Sequence, residues 1–383
     1  MNRREFLAAS IGVLVSDLAF AETENPYRRL LVLVELKGGN DGLNTVVPYA
    51  DGAYYRLRPR LALRRDEVLQ LDERAALHPA LKGLMPLWQA GELAVVQGVG
   101  YPQPNLSHFR SIEIWDSASR SDEYLAEGWL ARAFAAHPVP GSFAADGVSV
   151  GGADMGPLGG GRTRSLALED PARFLRQSRL AAPEAERAGA HPAALEHIYR
   201  VELDISQAAQ RLEASAKVTT EFPRGRFGTA MRVAAELAAN GAGVAAIRVS
   251  LGGFDTHQGQ PGQHARLLGE LADGLAALKA GLTEARRWER TLVMTYSEFG
   301  RRPQENGNLG TDHGTAAPHF IAGGRVRGGL YGEPPALGAL EGGNLRHGLD
   351  FRSLYATALE RWWGLPAAPL LGGRYETLEV LRS

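Results

Sequence analysis

Four apolar runs along the chain predict buried β-strands at residues 30–36, 93–96, 244–251 and 291–296. Each run is continuous rather than alternating, which is typical of strands that are covered on both faces of a sheet. Elsewhere, apolar residues recur every three or four positions, and this spacing predicts helices at 77–89, 261–282 and 351–363. The alternation of strands and helices indicates an α/β fold with a mostly parallel central sheet flanked by helices.

The middle of the chain carries no pattern that indicates chemistry. The glycine-rich stretch 147–164 lacks the G-x-G-x-x-G and Walker patterns of nucleotide-binding loops, so we interpret it as a plain loop. An Ala-, Glu- and Arg-rich stretch follows, and residues 155–240 are expected to form a largely helical cap or a cover over the sheet. No repeat or low-complexity linker divides residues 22–383, which are therefore expected to form a single domain.

The first 21 residues, MNRREFLAASIGVLVSDLAFA, have the pattern of an export signal. A basic start leads into an apolar run too short to span a bilayer, and residues 19–21 form an A-x-A cleavage site. Arg3 and Arg4, followed by Phe-Leu, resemble the twin-arginine signal, and an ordinary secretory signal is the alternative. We expect a periplasmic or secreted mature protein with no membrane span, delivered by the twin-arginine export machinery.

Composition narrows the classes of partner. The chain of 383 residues has 44% hydrophobic and 22% charged residues, as in an ordinary globular protein. Its formal net charge of -1 gives no indication of a nucleic-acid or anionic membrane partner. The absence of cysteine excludes disulfides and thiolate metal sites.

Metal-competent side chains follow the predicted strands at the points where the strands end. The carboxyl ends of parallel strands lie along one edge of a sheet, and ligands bind there. Carboxylate and imidazole donors at this edge would hold a divalent cation, with zinc or manganese as the expected metal and one or two ions as the expected number. The predicted ligands are Asp41, Asp255, His257, Glu298, Asp312 and His313.

Two residues at strand ends have a structural interpretation beside the functional one. Asp41 lies in an Asn-Asp-Gly stretch that could form a turn without holding a ligand. Ser107 precedes a predicted helix and could cap it. A serine at a helix N-terminus can also be a nucleophile or a metal ligand, because the free backbone N–H groups there favour an anion.

Five stretches of the chain together have the character of a family signature. They are LKGGNDGLNTVVP from Leu36, SHFRSIEIW from Ser107, GGFDTH from Gly252, SEFGRR from Ser297 and GTDHGTAAPHFIAGG from Gly310. With them the chain resembles the DUF1501 family of uncharacterised, often twin-arginine-exported bacterial proteins, and the resemblance extends over nearly the whole mature chain. That family is in turn similar to the alkaline phosphatase and sulfatase superfamily, which implies an α/β sandwich with a two-metal site at the strand ends.

The resemblance implies a role for each strand-end residue. Asp41 corresponds to the Asp that can bridge two metals, and Ser107 corresponds to the catalytic Ser or Thr nucleophile. Asp255 and His257 correspond to an Asp and a His that share one metal, although their spacing is shorter than is usual in the superfamily.

The resemblance allows two registers for the last ligands. In one register, Asp312-His313-Gly314 is the superfamily's Asp-His-Gly. In the other, SEFG from Ser297 takes that place and His313 is the final metal-binding histidine. We prefer the second register, because Glu298 ends a clear strand. It leaves Phe299 where relatives have a ligand histidine, so the resemblance does not extend to every ligand.

Two functions of different classes follow. The first is an exported metal-dependent hydrolase of phosphate or sulfate esters, acting on a small-molecule or glycan ester with Ser107 as the nucleophile. The second is a non-catalytic periplasmic binding protein on a degenerate fold of this type, for which Phe299 is the best support. A metal-free Ser-His-Asp hydrolase is disfavoured, because no G-x-S-x-G stretch is present.

Overall fold

A nine-stranded, mostly parallel sheet is the central element of the computed structural model, which describes residues 25–169, 217–240 and 243–382. The strands are β1 (Leu30–Lys37), β2 (Val46–Val47), β3 (Leu69–Gln70), β4 (Ala76–Leu77), β5 (Leu93–Gly100), β6 (Ala145–Val150), β7 (Ser165–Leu168), β8 (Val244–Gly252), β9 (Thr291–Tyr296), β10 (Arg301–Glu305), β11 (Thr311–His313), β12 (Ala317–Ala322), β13 (Gly329–Tyr331) and β14 (Leu349–Asp350). The sheet order is β13-β5-β12-β9-β1-β8-β6-β7, and β14 also pairs with β5.

Helices cover both faces of this sheet. The α-helices are α1 (Gly42–Thr45), α2 (Gly52–Leu57), α3 (Met85–Gln89), α4 (His108–Ser117), α5 (Trp129–Ala136), α6 (Arg226–Ala239), α7 (Gln260–Glu284), α8 (Arg352–Ala356) and α9 (Ala368–Leu371). A π-helical turn, Thr357–Trp362, continues α8, and short 3-10 turns lie at Pro26–Arg28, Pro79–Leu84, Gly156–Leu158 and Trp288–Arg290.

Strand β1 shows why the apolar runs are continuous. Val32 and Val34 belong to the hydrophobic core beneath α6 and α7, whereas Leu31 and Leu33 belong to the core beneath α4, α5 and α8. Successive side chains of a strand point to opposite faces, so a strand buried on both faces needs apolar residues at every position. The predicted α/β class with a mostly parallel central sheet is confirmed.

Strand direction brings the loops of interest to one edge. Strand β1 pairs in parallel with β8 and β9, while β12 is antiparallel to both β9 and β5. The carboxyl ends of β1, β5, β8 and β9 therefore lie on the same edge as the beginning of β12. The loops that follow those four strands meet there with the segment that leads into β12.

The structure differs from the sequence-based expectation in three segments. Residues 147–164 are not all loop, because β6 ends at Val150 and pairs in parallel with β8 and β7. The polar segment after Glu298 lies outside the four predicted strands but forms the antiparallel pair β10–β11. Residues 77–89 break into a 3-10 turn and the short α3, because prolines at 79 and 86 interrupt the pattern.

Two predicted segments fall wholly or partly outside the described residues. The export signal at 1–21 lies outside them, as do residues 170–216 of the expected helical cover. Of that cover, residues 165–168 form the sheet strand β7 instead of helix. Helix α6 is also described, and it packs on the sheet beside α7. Within the described part of the chain, no helix is both long enough and apolar enough to cross a membrane.

Candidate metal centre

Three histidines surround one carboxylate oxygen at the carboxyl edge of the sheet. The Nε2 atoms of His257, His313 and His108 lie 3.0, 3.2 and 3.4 Å from Asp255 Oδ1. Two of these nitrogens, on His257 and His313, are 2.9 Å apart. His108, Asp255 and His313 form a group whose ligand atoms all lie within 4.8 Å of one another. Ligands at zinc-bond lengths of about 2.0–2.2 Å in a tetrahedron lie about 3.3–3.6 Å from one another, which is close to the distances of the three nitrogens from Asp255 Oδ1.

The far nitrogen of each imidazole faces an oxygen. His108 Nδ1 lies 2.7 Å from Glu298 Oε1, and His313 Nδ1 lies 2.8 Å from the carbonyl oxygen of Leu106. His257 Nδ1 lies 3.5 Å from Asp312 Oδ1. A carbonyl oxygen can only accept, so His313 donates from Nδ1 and its neutral ring leaves the lone pair on Nε2. Such oxygen partners fix the orientation of metal-binding histidines.

His108 is the residue whose environment indicates a ligand most directly. Its Nε2 is buried and forms no hydrogen bond in the described structure. The hydrogen bond to Glu298 raises the pKa of His108, although burial opposes this. A buried nitrogen that faces Asp255 and forms no hydrogen bond is the kind of electron-pair donor that binds a cation. Burial also lowers the pKa of His313, which favours its neutral, ligating form.

Arg301 lies beneath the cluster and fixes Asp255. The Arg301 side chain is fully buried, and Nη2 donates to Asp255 Oδ1 at 2.6 Å. Its remaining N–H groups donate to the carbonyl oxygens of Gly38, Gly39, Phe254 and Thr311. Burial tends to raise the pKa of Asp255, but the hydrogen bond from Arg301 and its positive charge outweigh burial and lower it to about 2. Asp255 is therefore a carboxylate at neutral pH.

Glu298 supports a histidine instead of joining the cluster, contrary to the expectation that it is a ligand. Its side chain is 3% exposed and accepts from the backbone N–H of Gly38 at 2.9 and 3.2 Å. Gly38 has φ +118°, and a Cβ there would lie 2.5 Å from the backbone nitrogen of Asp255, so glycine is needed for this approach. With Oε1 on His108, Glu298 is a positioning residue behind the ligand.

Asp41 is also placed differently from the expectation. Its carboxylate is fully buried and forms two bonds with Arg58, Oδ2 to Nη1 at 2.6 Å and Oδ1 to Nη2 at 2.8 Å. Gln260 Nε2 donates to Oδ2 as well. Burial alone would raise the pKa of Asp41, but the Arg58 charge outweighs it and lowers the pKa. Asp41 therefore serves a buried ion pair and does not join the histidine cluster.

Asp312 and Ser107 lie at the margin of the cluster. The Asp312 side chain is 56% exposed and faces His257 Nδ1, so it partners a ligand histidine rather than the centre itself. Ser107 is exposed at the N-cap of α4, directly before His108, and its side chain makes no capping hydrogen bond. The hydroxyl is thus free for another role.

Sequence reasoning missed His108 and Arg301. His108 directly follows Ser107 and does not itself end a predicted strand, so the strand-end pattern did not select it. The usable signal was its position at the start of a helix after β5, where the strand end and the helix N-terminus meet. Arg301 carried no comparable signal, because a buried arginine is recognised only from the carbonyls that converge on it.

The chain is thus an α/β protein with a three-histidine, one-aspartate cluster at the carboxyl edge of its sheet. Residues 88–372 match the model of the family described as "Protein of unknown function (DUF1501)". The match covers more than half of the chain, which therefore belongs to the DUF1501 family. A comparison with curated proteins found no sequence that matches this chain.

Solved structures with a similar outline include members of the alkaline phosphatase and sulfatase superfamily. A sulfatase from Pseudoalteromonas sp. is 11% identical with a TM-score of 0.43, over 100% of this chain and 77% of that one. A protein in the alkaline phosphatase superfamily from Vibrio parahaemolyticus is 10% identical with a TM-score of 0.42, over 91% and 69%. A phosphonate monoester hydrolase from Silicibacter pomeroyi is 12% identical with a TM-score of 0.39, over 92% and 78%. These similarities concern the outline of the fold, and no residue role is taken from them.

Proposed function

We propose that this chain is an exported, metal-dependent hydrolase of phosphate or sulfate esters. The observation that carries the proposal is the convergence of three imidazole Nε2 atoms on Asp255 Oδ1, with each far nitrogen next to an oxygen. A set of three nitrogens and one carboxylate oxygen suits zinc, and manganese is the alternative. His108, Asp255, His257 and His313 would hold the ion.

The surroundings of the cluster favour one ion over two. The Phe299 ring packs beside it, with ring centres 4.8 Å from His108 and 4.5 Å from His313. An apolar ring on that side offers no donor to a second cation. The buried guanidinium of Arg301 on Asp255 adds a fixed positive charge, which repels a further cation.

The residues of this chain can supply both a nucleophile and an electrostatic environment. A divalent cation held at the cluster would stabilise the negative charge that develops on the reacting oxygens. Ser107 Oγ would form a bond to phosphorus or sulfur while its proton leaves to water, and the ester oxygen would depart with the bonding electrons and take up a proton. Water would then cleave the Ser107 ester, which releases phosphate or sulfate and restores the hydroxyl.

The test is a zinc titration followed by an ester panel on the protein that lacks residues 1–21. We expect one zinc per chain and turnover of an aryl phosphate or an aryl sulfate. His313→Ala should lose both, while His137→Ala, a histidine outside the cluster, should keep both. Thermal unfolding of each variant checks that it remains folded. A wild-type protein that binds no zinc, or full turnover by His313→Ala, would overturn the proposal.

A second candidate function is a non-catalytic periplasmic binding protein. The Arg301–Asp255 ion pair supports it, because the guanidinium already neutralises the one carboxylate in the cluster. This candidate predicts a folded protein that hydrolyses no ester in the panel, whether or not it binds zinc. The same experiment therefore separates the two functions.

A further inference from the structure

A second site lies on the other side of Arg301 from the histidines. A partly open cavity of about 470 Å³ lies between α1, β12 and the loop 332–348. Its volume lies within the range of small-molecule sites, roughly 300–1,000 Å³. Arg301 lines it, but the four residues of the metal centre, His108, Asp255, His257 and His313, do not. The cavity is therefore separate from the metal centre and shares one wall with it.

A β-bulge turns a polar side chain into this cavity. Val99 pairs with Ala317 and Val96 pairs with His319, so two residues of β5, Gln97 and Gly98, stand opposite Pro318 alone. Gly98 has φ +66°, the left-handed conformation that glycine adopts readily at such bulges. The partner residue is a proline, which has no N–H to donate and is tolerated at a bulge. Bulges re-aim side chains in this way next to binding sites.

Gln97 is the polar group that the cavity leaves without a partner. It is 6% exposed, and no described residue forms a hydrogen bond with its side-chain amide. The amide atoms are not among the fully buried polar atoms of the described chain, so they remain accessible, and Gln97 lines the cavity. A ligand in the cavity can therefore pair with this amide. The cavity thus presents one acceptor, Oε1, beside one donor group, Nε2.

The loop over the cavity is held at both ends by the bulged strand. Tyr331 in β13 pairs with Val96, and Leu349 in β14 pairs with Val99, on either side of the bulge. Gly348 N–H donates to the Gly98 carbonyl at 2.8 Å. The bulge in β5 therefore anchors the loop 332–348 over the cavity, and it also contains Gln97, which lines the cavity.

The charges around the cavity disfavour a charged ligand. Arg301 has its donors engaged with backbone carbonyls and Asp255, so it offers no free charge. Glu341 and Arg346 pair with each other at the rim, 2.7 Å from Oε1 to Nε. Glu333 and His347 also line the cavity, but both are exposed residues of the loop, where water screens their charge. A charge taken to the inner wall would lose its hydration without gaining a buried partner. That wall includes the apolar residues Leu43, Val46, Ala316, Ala317, Pro318 and Pro335.

We propose that this cavity binds an uncharged small molecule that carries an amide group, with the amide paired to Gln97 and its apolar substituents against the wall. An amide matches Gln97 because it also presents an acceptor and a donor, whereas a neutral ligand without an amide matches it less completely. An N-acetylated sugar and a short capped peptide share this chemistry. The proposal does not depend on ester hydrolysis, since none of the metal-binding residues lines the cavity.

The test is ligand-observed NMR with three probes: N-acetylglucosamine, N-acetylalanine methylamide and glucose. We expect saturable binding of at least one amide and weaker or no binding of glucose, and the two amides distinguish the sugar source from the peptide source. Gln97→Leu should weaken amide binding about tenfold, which corresponds to about 1.4 kcal/mol. Zinc binding should not change in this variant.

Two further variants keep the outcome clear. Ala336→Trp, on the exposed loop, should block the cavity without touching the core, and it should abolish amide binding even where Gln97→Leu folds poorly. His313→Ala should lose zinc and keep amide binding, so the two sites fail separately. Absence of saturable binding of either amide, equal binding of glucose, or unchanged amide binding in both Gln97→Leu and Ala336→Trp would overturn the proposal.

Discussion

His108 Nδ1 lies 2.7 Å from Glu298 Oε1, and this hydrogen bond joins the helix that follows β5 to the end of β9. The carboxylate holds the His108 ring so that Nε2 points toward Asp255 Oδ1, 3.4 Å away. Glu298 is itself fixed by the N–H of Gly38 in the loop after β1. One carboxylate thus connects three strand ends, and the orientation of a proposed ligand depends on it.

Replacing Glu298 should weaken zinc binding without removing a ligand. In Glu298→Gln the charged partner of His108 is lost, and loss of such an outer partner typically weakens metal affinity by 10–100-fold. The His108 pKa, which the Glu298 hydrogen bond raises, should also fall toward its ordinary value in the metal-free variant. Zinc titration calorimetry and an NMR pH titration measure the two effects. Glu113→Gln, an exposed change on the helix that carries His108, is the matched control. Wild-type zinc affinity in Glu298→Gln would contradict the positioning role of Glu298.

Ser107→Ala should abolish ester turnover while leaving zinc content and stability nearly unchanged. The Ser107 side chain makes no capping hydrogen bond, so its removal should alter the free energy of unfolding by no more than about 0.5 kcal/mol. Steady-state kinetics, elemental analysis and urea unfolding give the three readouts. If turnover survives in Ser107→Ala, the nucleophile is another group.

Asp41→Asn should destabilise the protein without changing its zinc content. The variant breaks a fully buried ion pair and leaves the Arg58 charge uncompensated, which costs about 3–5 kcal/mol. Urea unfolding measures the loss, and elemental analysis of the folded protein measures the metal. Asp66→Asn, an exposed partner of Arg64, is the control and should change little. Zinc loss in Asp41→Asn at retained stability would instead restore Asp41 as a ligand.

His319→Leu should stabilise the protein, and more so in acid. His319 is 1% exposed, neither ring nitrogen has a hydrogen-bond partner in the described structure, and burial lowers its pKa to about 3. Removing such unpaired polar atoms should gain about 1–3 kcal/mol at neutral pH. Urea unfolding at several pH values provides the measurement.

The pH dependence of this effect has a definite sign. The folded state favours neutral His319, so its contribution is constant above the unfolded pKa near 6.5 and is lost as pH falls from there toward about 3. The loss should approach about 1.4 kcal/mol per pH unit in wild type and be absent in His319→Leu. A variant with the same acid slope as wild type would show that His319 is not the responsible group.

Replacing both Arg3 and Arg4 by Lys should retain the precursor in the cytoplasm. The expectation rests on the twin-arginine pattern followed by Phe-Leu, and the mature chain of the wild type should begin at Glu22. Cell fractionation and N-terminal sequencing provide the measurements. Normal export of the double variant would instead indicate an ordinary secretory signal.

The sequence by itself determined the fold class, four strands of the sheet and part of the cluster. Strands β1, β8 and β9 begin and end within a residue of the predicted runs, because strands buried on both faces need continuous apolar residues. Asp255, His257 and His313 were predicted from their places beside strand ends, and the structure brings their side chains together. Parallel strand direction brings the loop with Asp255 and His257 to that edge, and His313 reaches it because antiparallel β12 begins there.

Only the tertiary structure decided which strand-end residues face the centre and which stand behind it. Glu298 and Asp41 have the same local pattern as a ligand, but Glu298 meets His108, 190 positions away, and Asp41 meets Arg58. A buried carboxylate needs a charged or hydrogen-bonding partner, and that partner is selected by three-dimensional packing rather than by neighbouring residues. The same reason explains Arg301, whose carbonyl partners come from three separate segments of the chain, and Gln97, which lies in a bulge between distant strands and lines an open cavity.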